Sequence, residues 1–233
     1  MKYFKLAFLS ACLLSVIGAS AKITEAQKQA LKARQPGLTS QSVQRRLMRA
    51  NEHIVQNNRK AAIEILEKMV QGNNYRPFEM AKVWQTLAYA YAQTEQFPKA
   101  RKAFAEVIKI NALPYKPHMQ SIFALAQLQV MAEKYKEAEG TLDDYFALAD
   151  VENPDAYVFS ATISFHKGEK KKALESILKA LKISKSPKEN WIVFAVSLLY
   201  ENNRYKEASE FLYKLVEMNT GKKMYWTQLA GTL

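Results

Sequence analysis

Residues 84–107 read WQTLAYAYAQTEQFPKARKAFAEV, and two helical faces are legible in them. Trp84, Leu87, Ala88 and Tyr91 recur at the three- and four-residue spacing of one helix face, and Phe97, Ala100, Phe104 and Val107 do the same on a second. A small residue on each, Ala88 and Ala100, lets two antiparallel backbones approach closely. The large residues then fill the space around that contact.

Working outward, the small residue of the second helix returns at Ala62, Ala138, Ala173 and Ala208, so the intervals are 38, 38, 35 and 35. Four positions after each alanine stands a large apolar residue: Leu66, Phe104, Leu142, Ile177 and Leu212. An aromatic precedes the alanine by three at Phe97, Tyr135 and Tyr205, and Gly168 occupies the turn of the fourth unit. The first unit departs from the pattern, with Arg59 at the aromatic position and Asn57 at the turn. Helix pairs on a period of about 34 residues match the tetratricopeptide repeat (TPR). The expected fold class is therefore all-α: a TPR solenoid of antiparallel helix pairs in a right-handed superhelix, about five repeats with a sixth begun.

Turn chemistry predicts loops for the extra residues, at 72–77 (Gly-Asn-Asn-Tyr-Arg-Pro) and 114–117 (Pro-Tyr-Lys-Pro), with further breaks at Asn153-Pro154 and Ser186-Pro187. Thr24 with Gln27 forms a capping signal for an additional helix that runs to about Arg34 and ends at Pro36-Gly37. At the other end Trp226, Leu229 and Ala230 repeat the opening of a unit and the sequence stops at Leu233. Truncation is the preferred reading there, and a half-repeat covered by a partner is the alternative. The resulting division is 1–21 signal peptide, 22–42 basic helix and linker, 43–222 repeats 1 to 5, and 223–233 the start of a sixth.

The signal assignment rests on Lys2 and Lys5, an apolar run from Leu6 to Ile17, and Ala19-Ser20-Ala21, with cleavage expected before Lys22. Such a run reaches roughly 18 Å as a helix, short of a bilayer core of about 30 Å. Leu9-Ser10-Ala11-Cys12 resembles a lipobox, so a lipoprotein is the minor alternative to a periplasmic protein with a cleaved signal. Cys12 is the sole cysteine, and a mature chain without it has neither disulfides nor thiol chemistry.

Several further strings widen the resemblance: 31–36 (Leu-Lys-Ala-Arg-Gln-Pro), 87–92, 111–114 (Asn-Ala-Leu-Pro), 125–128, 187–191 (Pro-Lys-Glu-Asn-Trp) and 225–231. Through them most of the mature chain resembles the periplasmic TPR proteins associated with TonB-ExbB-ExbD energy-transducing systems of Gram-negative bacteria. The resemblance implies a part in iron or nutrient uptake, as an accessory to the transducer, with TonB, ExbB or ExbD homologues as partners. A TPR module in outer-membrane protein assembly or cell-wall synthesis is the alternative that Cys12 lipidation favours.

In a TPR superhelix the first helix of each unit lines the concave side. The inward positions here are Gln85, Tyr89 and Gln93, then Phe123, Gln127 and Met131, then Val158, Thr162, Phe165 and His166, then Asn190, Val193, Ser197, Tyr200 and Glu201. Nearly uncharged, rich in amides and aromatics, this lining suits an extended peptide or a short helix. A groove for acidic tails needs several Lys, Arg and Asn at these positions, and chiefly Lys82 and Asn190 are offered.

Charge is segmented. The chain carries +12, and residues 22–60 hold nine Lys or Arg against Glu25 and Glu52. Residues 133–155 carry net −6 and residues 167–188 net +6. Solvated outer faces explain such runs; the sharper expectation is that the basic leading segment, through Arg45, Arg46 and Arg49, docks on an anionic inner-membrane surface or an acidic partner. Export and the lack of interleaved stacking aromatics argue against nucleic acid. His53, His118 and His166 lack metal-ligand spacing, and no nucleophile motif or phosphate loop is present, so neither catalysis, a cofactor nor a small-molecule substrate is expected.

Overall fold

The structure, a computed structural model, describes residues 23–72 and 74–232. The signal segment with Cys12 and the cleavage site before Lys22 lie outside the described residues, as do Asn73 and Leu233. Twelve helices and no strand occur among the described residues. A short α1 (Glu25–Ala33) precedes five antiparallel pairs: α2 (Gln41–Val55) with α3 (Arg59–Val70), α4 (Pro77–Gln93) with α5 (Phe97–Ile110), α6 (Tyr115–Met131) with α7 (Tyr135–Leu148), α8 (Pro154–His166) with α9 (Lys170–Ile183), and α10 (Glu189–Glu201) with α11 (Tyr205–Met218). A final α12 (Lys223–Ala230) lies against α11.

The alanine frame is the seam of the solenoid. Ala62, Ala100, Ala138, Ala173 and Ala208 are all completely buried, and Leu66, Phe104, Leu142, Ile177 and Leu212 are buried with them. The first helices answer with a second row of small residues, Ala50, Ala88, Ala126 and Ala161, also completely buried, with Val196 in the same place in the fifth repeat. Ala230 occupies the next position of that row and is exposed; among the described residues no second helix faces α12.

All five reversals within a pair are the same object. Asn57, Glu95, Glu133, Gly168 and Asn203 adopt left-handed backbone, with φ between 57° and 78°, each five residues before the seam alanine. The following amide reaches back to the carbonyl six residues earlier counted inclusively, as Lys134 N does to Gln129 O at 2.9 Å, while Glu133 N bonds Val130 O at 2.9 Å. This double closure caps the orphan carbonyls of the first helix. Glutamate lacks glycine's tolerance for left-handed backbone, which costs an ordinary residue roughly 1–2 kcal/mol. Glu133→Gly is therefore expected to stabilise the protein by about 1 kcal/mol after the entropy of the more flexible unfolded chain is subtracted. A denaturant midpoint unchanged or lowered by the substitution contradicts this account of the turn.

The longer period of the early repeats is a turn of helix, which corrects the sequence expectation of a loop at 114–117. The first helices α4 and α6 have 17 residues where α8 and α10 have 13, whereas the second helices α5, α7, α9 and α11 all have 14. Pro114 is the N-cap of α6 and Pro117 sits in its first turn. Amides of a first turn have no intrahelical acceptor, so proline there removes nothing and presets the backbone angle. The connection between α5 and α6 is instead the short span 111–114, entered through Asn111 in left-handed conformation. The segment around 72–76 does separate α3 from α4, and Pro77 opens α4.

Helix α1 has the expected capping box, Thr24 Oγ1 accepting from Gln27 N at 3.2 Å while Gln27 Oε1 accepts from Thr24 N at 2.8 Å. It does not continue the solenoid from its first repeat. It folds back and buries Leu31 in the cluster of α6 and α7 that includes Ile122, Leu142 and Leu148.

Candidate functional site

On each first helix the buried small residue sets the register for what faces outward. Three residues before it stand Gln85, Phe123, Val158 and Val193; one after it, Tyr89, Gln127, Thr162 and Ser197; five after it, Gln93, Met131, His166 and Glu201. None of these is buried. The same holds for Phe165, Asn190 and Tyr200, so the sequence-derived groove residues form rows along one side of successive first helices at half-buried to exposed positions.

Some of these side chains are already committed. Gln85 Nε2 donates to Pro117 O at 2.9 Å and Ser121 Oγ at 2.8 Å, which ties α4 to α6. Gln93 Oε1 accepts from Arg59 Nε at 3.2 Å, and the Thr162 hydroxyl returns to Val158 O. Glu201 pairs with Lys170 at 2.9 Å, and the Tyr200 hydroxyl meets that of Thr232. Phe123 packs edge-on against Phe159 of the next first helix, and Phe165 against Phe194, with centroids 5.7 Å apart in both pairs. His166 stacks on Tyr135 at 4.5 Å. These groups brace neighbouring repeats.

Others are left open. Among the described residues no side-chain hydrogen bond ties Tyr89, Gln127, Asn190 or Ser197, and Met131 is 62% exposed. Tyr89 leans edge-on over Phe104 at 5.0 Å, which holds its ring while its edge stays accessible. Sequence reasoning passed over two apolar side chains of α2: Val55, in the third of these rows, and Met48, one position off the first; they are 86% and 54% exposed. Counting back 38 residues from Gln93 reaches Val55, so that signal was present in the degenerate first repeat, while Met48 corresponds to Thr86 and Leu47, at the row position itself, is buried. Exposed apolar side chains interleaved with amides and hydroxyls, with few free charges, give a surface that grips side chains by packing and backbone by hydrogen bonds.

The groove has a wider mouth between α2 and α4, a cleft of about 390 Å³ lined in part by Leu38, Met48, Asn51, Lys82 and Thr86. Its wall is fixed by Glu79, a buried carboxylate that the sequence reading missed. Glu79 Oε1 accepts from Ser40 N at 2.6 Å and Oε2 from Arg76 N at 2.9 Å. The backbone bond from Ser40, then that from Arg76, holds its carboxyl below the usual range. The capping pattern Arg76-Pro77-Phe78-Glu79 is the trace it leaves in the sequence.

The basic leading segment divides into two populations. Arg45, Arg46 and Arg49 are exposed on α2, away from the buried Val43, Leu47 and Ala50, and Arg46 Nη1 reaches only the Tyr75 hydroxyl at 3.3 Å. Lys28, Lys32 and Arg34 instead turn inward. Lys28 and Lys32 lie 3.6 and 3.0 Å from Asp150, and Arg34 Nη1 donates to Asn111 O, Asn111 Oδ1 and Leu113 O at 2.7 to 3.0 Å. On the other flank of the acidic segment, Lys167, Lys179 and Lys188 pair with Glu139, Glu152 and Asp155 at 2.6 to 2.8 Å. The alternating charge blocks thus meet each other in the folded chain.

Among the described residues no group of three or more His, Cys, Asp or Glu side chains is placed to hold a metal ion, and no helix is long and apolar enough to cross a membrane. His118 is buried with its Nδ1 unpartnered, and burial, aided by the nearby Arg34 charge, pushes its pKa down to about 4.

Comparison with known proteins supports the repeat assignment. A family model described as tetratricopeptide repeat matches residues 81–112 and 154–187, which span most of α4 with α5, and α8 with α9. No curated protein sequence matches. Among solved structures, MamA 41-end from Desulfovibrio magneticus RS-1 superposes with a TM-score of 0.66 at 15% identity, over 79% of this chain and 99% of that one. YrrB, described as a TPR protein with an unusual peptide-binding site, gives 0.64 at 15% identity over 81% and 91%. The carboxyl-terminal part of a TPR repeat-containing protein from Cytophaga hutchinsonii gives 0.62 at 16% identity over 80% and 69%. Similarity at that level of identity establishes architecture, and with two sequence-matched repeats and the alanine seam it makes this chain an all-α tetratricopeptide-repeat solenoid.

Proposed function

We propose that the protein is a non-catalytic periplasmic scaffold that holds a peptide segment of a protein partner along its first-helix groove, as an accessory of a TonB-ExbB-ExbD type transducer. The observation that carries the binding reading is the run of half-buried to exposed, uncharged side chains along the first helices, from Val55 with its neighbour Met48 through Tyr89, Gln127 and Met131 to Ser197. Solvent-exposed methionine and tyrosine on a rigid helix face adapt to apolar side chains, and the free amides can bond a peptide backbone. The peptide-binding site named for YrrB lends the same reading support by analogy of fold. The transducer and the periplasm come from the family resemblance and the signal-like leader.

Photo-crosslinkers placed at Tyr89 and Met131 of the full-length protein in cells test both levels. Crosslinks to a TonB, ExbB or ExbD homologue are the expected result. Crosslinks to other envelope proteins alone eliminate the transducer assignment, and the absence of any protein crosslink eliminates the groove. The exposed arginines of α2 supply a second contact in this reading. Replacing Arg45, Arg46 and Arg49 together by Gln is expected to weaken binding to anionic vesicles roughly a hundredfold at low salt, at about 1 kcal/mol per cation. Unchanged vesicle binding removes the membrane contact from the proposal.

A further inference from the structure

Helix α1 lies on the opposite side of the molecule from the groove rows. On α6 it meets His118 and Ile122, while the groove positions are Phe123, Gln127 and Met131; at about 100° per residue the two sets point in nearly opposite directions. Its seat is built from three elements: Ile108 of α5, Ile122 of α6 and Leu148 of α7. Asp150 and the Ala149 carbonyl close one end, where Lys28 Nζ donates to Ala149 O at 2.8 Å beside the two ion pairs. Tyr115 stiffens that corner, its hydroxyl donating to Leu148 O at 3.1 Å and accepting from Asp150 N at 2.9 Å.

The seat is better formed than its occupant. Of the nine residues of α1 only Leu31 is buried, and about 200 Å³ stays unfilled between the helix and the seat. A nine-residue helix does not sustain itself in water, and partly solvated ion pairs contribute little each. By contrast the seat belongs to the tightly packed centre of the solenoid, and the linker that delivers α1 is anchored independently of it. Gly37 lies against Phe78, where even a Cβ would come within 2.7 Å of the Phe78 side chain, and Ser40 is held by Glu79.

We propose that the seat between α5, α6 and α7 is a second binding surface, distinct from the first-helix groove, for a basic amphipathic helix of a partner protein, and that α1 is its resident and displaceable occupant. The seat selects a leucine or larger apolar side chain with lysines three residues before and one after, the pattern of Lys28, Leu31 and Lys32. Asp150 accepts both lysines. A partner helix that is longer, or that carries a bulkier residue in place of Leu31, fills the remaining volume and displaces α1, leaving the linker anchored at Gly37 and Ser40.

The test uses the full chain and a labelled synthetic peptide of residues 23–37. A variant with Leu31→Asp and Lys32→Glu releases its own α1 without touching the solenoid core, and hydrogen exchange across residues 25–33 reports that release. Should the double variant fold poorly by circular dichroism, Leu31→Ala, which removes the one buried side chain of α1, serves the same purpose. The peptide is expected to bind the released protein at least about tenfold more tightly than the wild type. Adding Asp150→Lys weakens that binding about tenfold, and a peptide carrying Lys28→Glu and Lys32→Glu recovers it. The proposal is overturned if α1 exchanges as slowly in the variants as in the wild type, if the peptide binds neither protein, or if it binds both equally.

Discussion

Replacing Phe104 by Ala is expected to destabilise the protein by about 3–5 kcal/mol, the range for truncating a fully buried phenylalanine. Phe104 is 1% exposed and sits four residues after the seam alanine Ala100, in the cluster where α4 and α5 meet α6 through Leu87, Leu125 and Leu128. The void would open at the contact between repeats 2 and 3, and backbones already in contact at Ala88 and Ala100 have no room to collapse into it. Solenoid stability is close to a sum of repeat and neighbour terms, so the loss falls on one interface. Thermal unfolding should begin roughly 10 °C lower and broaden as the two flanks separate. Tyr89 loses the ring beneath it as well, so its fluorescence or its crosslinking yield should change even below the transition. A change under about 1 kcal/mol, with a transition as sharp as the wild type, would contradict the seam as the source of cohesion.

Lowering the pH from 7 to 4 should cost about 3 kcal/mol through His118 alone. Its folded pKa lies near 4 against 6.5 for the free side chain. Between those values the unfolded state binds more protons, so stability falls as pH falls, beginning near 6.5 and levelling off near 4. The Arg34 guanidinium from the end of α1 opposes a second positive charge there, and Asp144 of α7 lines the same cavity. Burial is the larger cause. His118→Leu removes both the titration and the unpartnered Nδ1, so its denaturation free energy should drop less by about 3 kcal/mol over the same interval. Parallel curves for the two proteins between pH 7 and 4 would show that His118 is not held neutral.

The extra helical turns of repeats 2 and 3 acquire a structural purpose from the amino-terminal strap. In α4 that turn supplies Phe78 against Gly37 and Glu79 for Ser40; at the start of α6 it supplies Tyr115 and His118 beside α1. Residues that look like insertions in the repeat arithmetic are the platform on which residues 23–40 lie. The repeats without the extra turn, the fourth and fifth, carry no such strap among the described residues.

Most of the architecture is already determined by the local order of the chain. A small residue paired with a large one four positions later specifies where two helices touch, and that relation repeats at Ala62, Ala100, Ala138, Ala173 and Ala208 without help from distant residues. Each repeat contacts chiefly its neighbours, so reading one unit well reads the next, including which first-helix positions face outward. The sequence reading erred where two structures share one local signal. Pro114 and Pro117 are equally at home in a loop and in a helical first turn, and only packing against α5 and α7 selects the turn. Tertiary structure also decided the electrostatics. The runs at 22–60, 133–155 and 167–188 read as separate charged faces, yet Lys32 meets Asp150 and Lys179 meets Glu152 across gaps no periodicity spans. The same is true of α1, whose capping box and length are written in residues 24–33. Its seat, made of side chains about 80 to 120 residues further along, exists only once the solenoid has brought α5, α6 and α7 together.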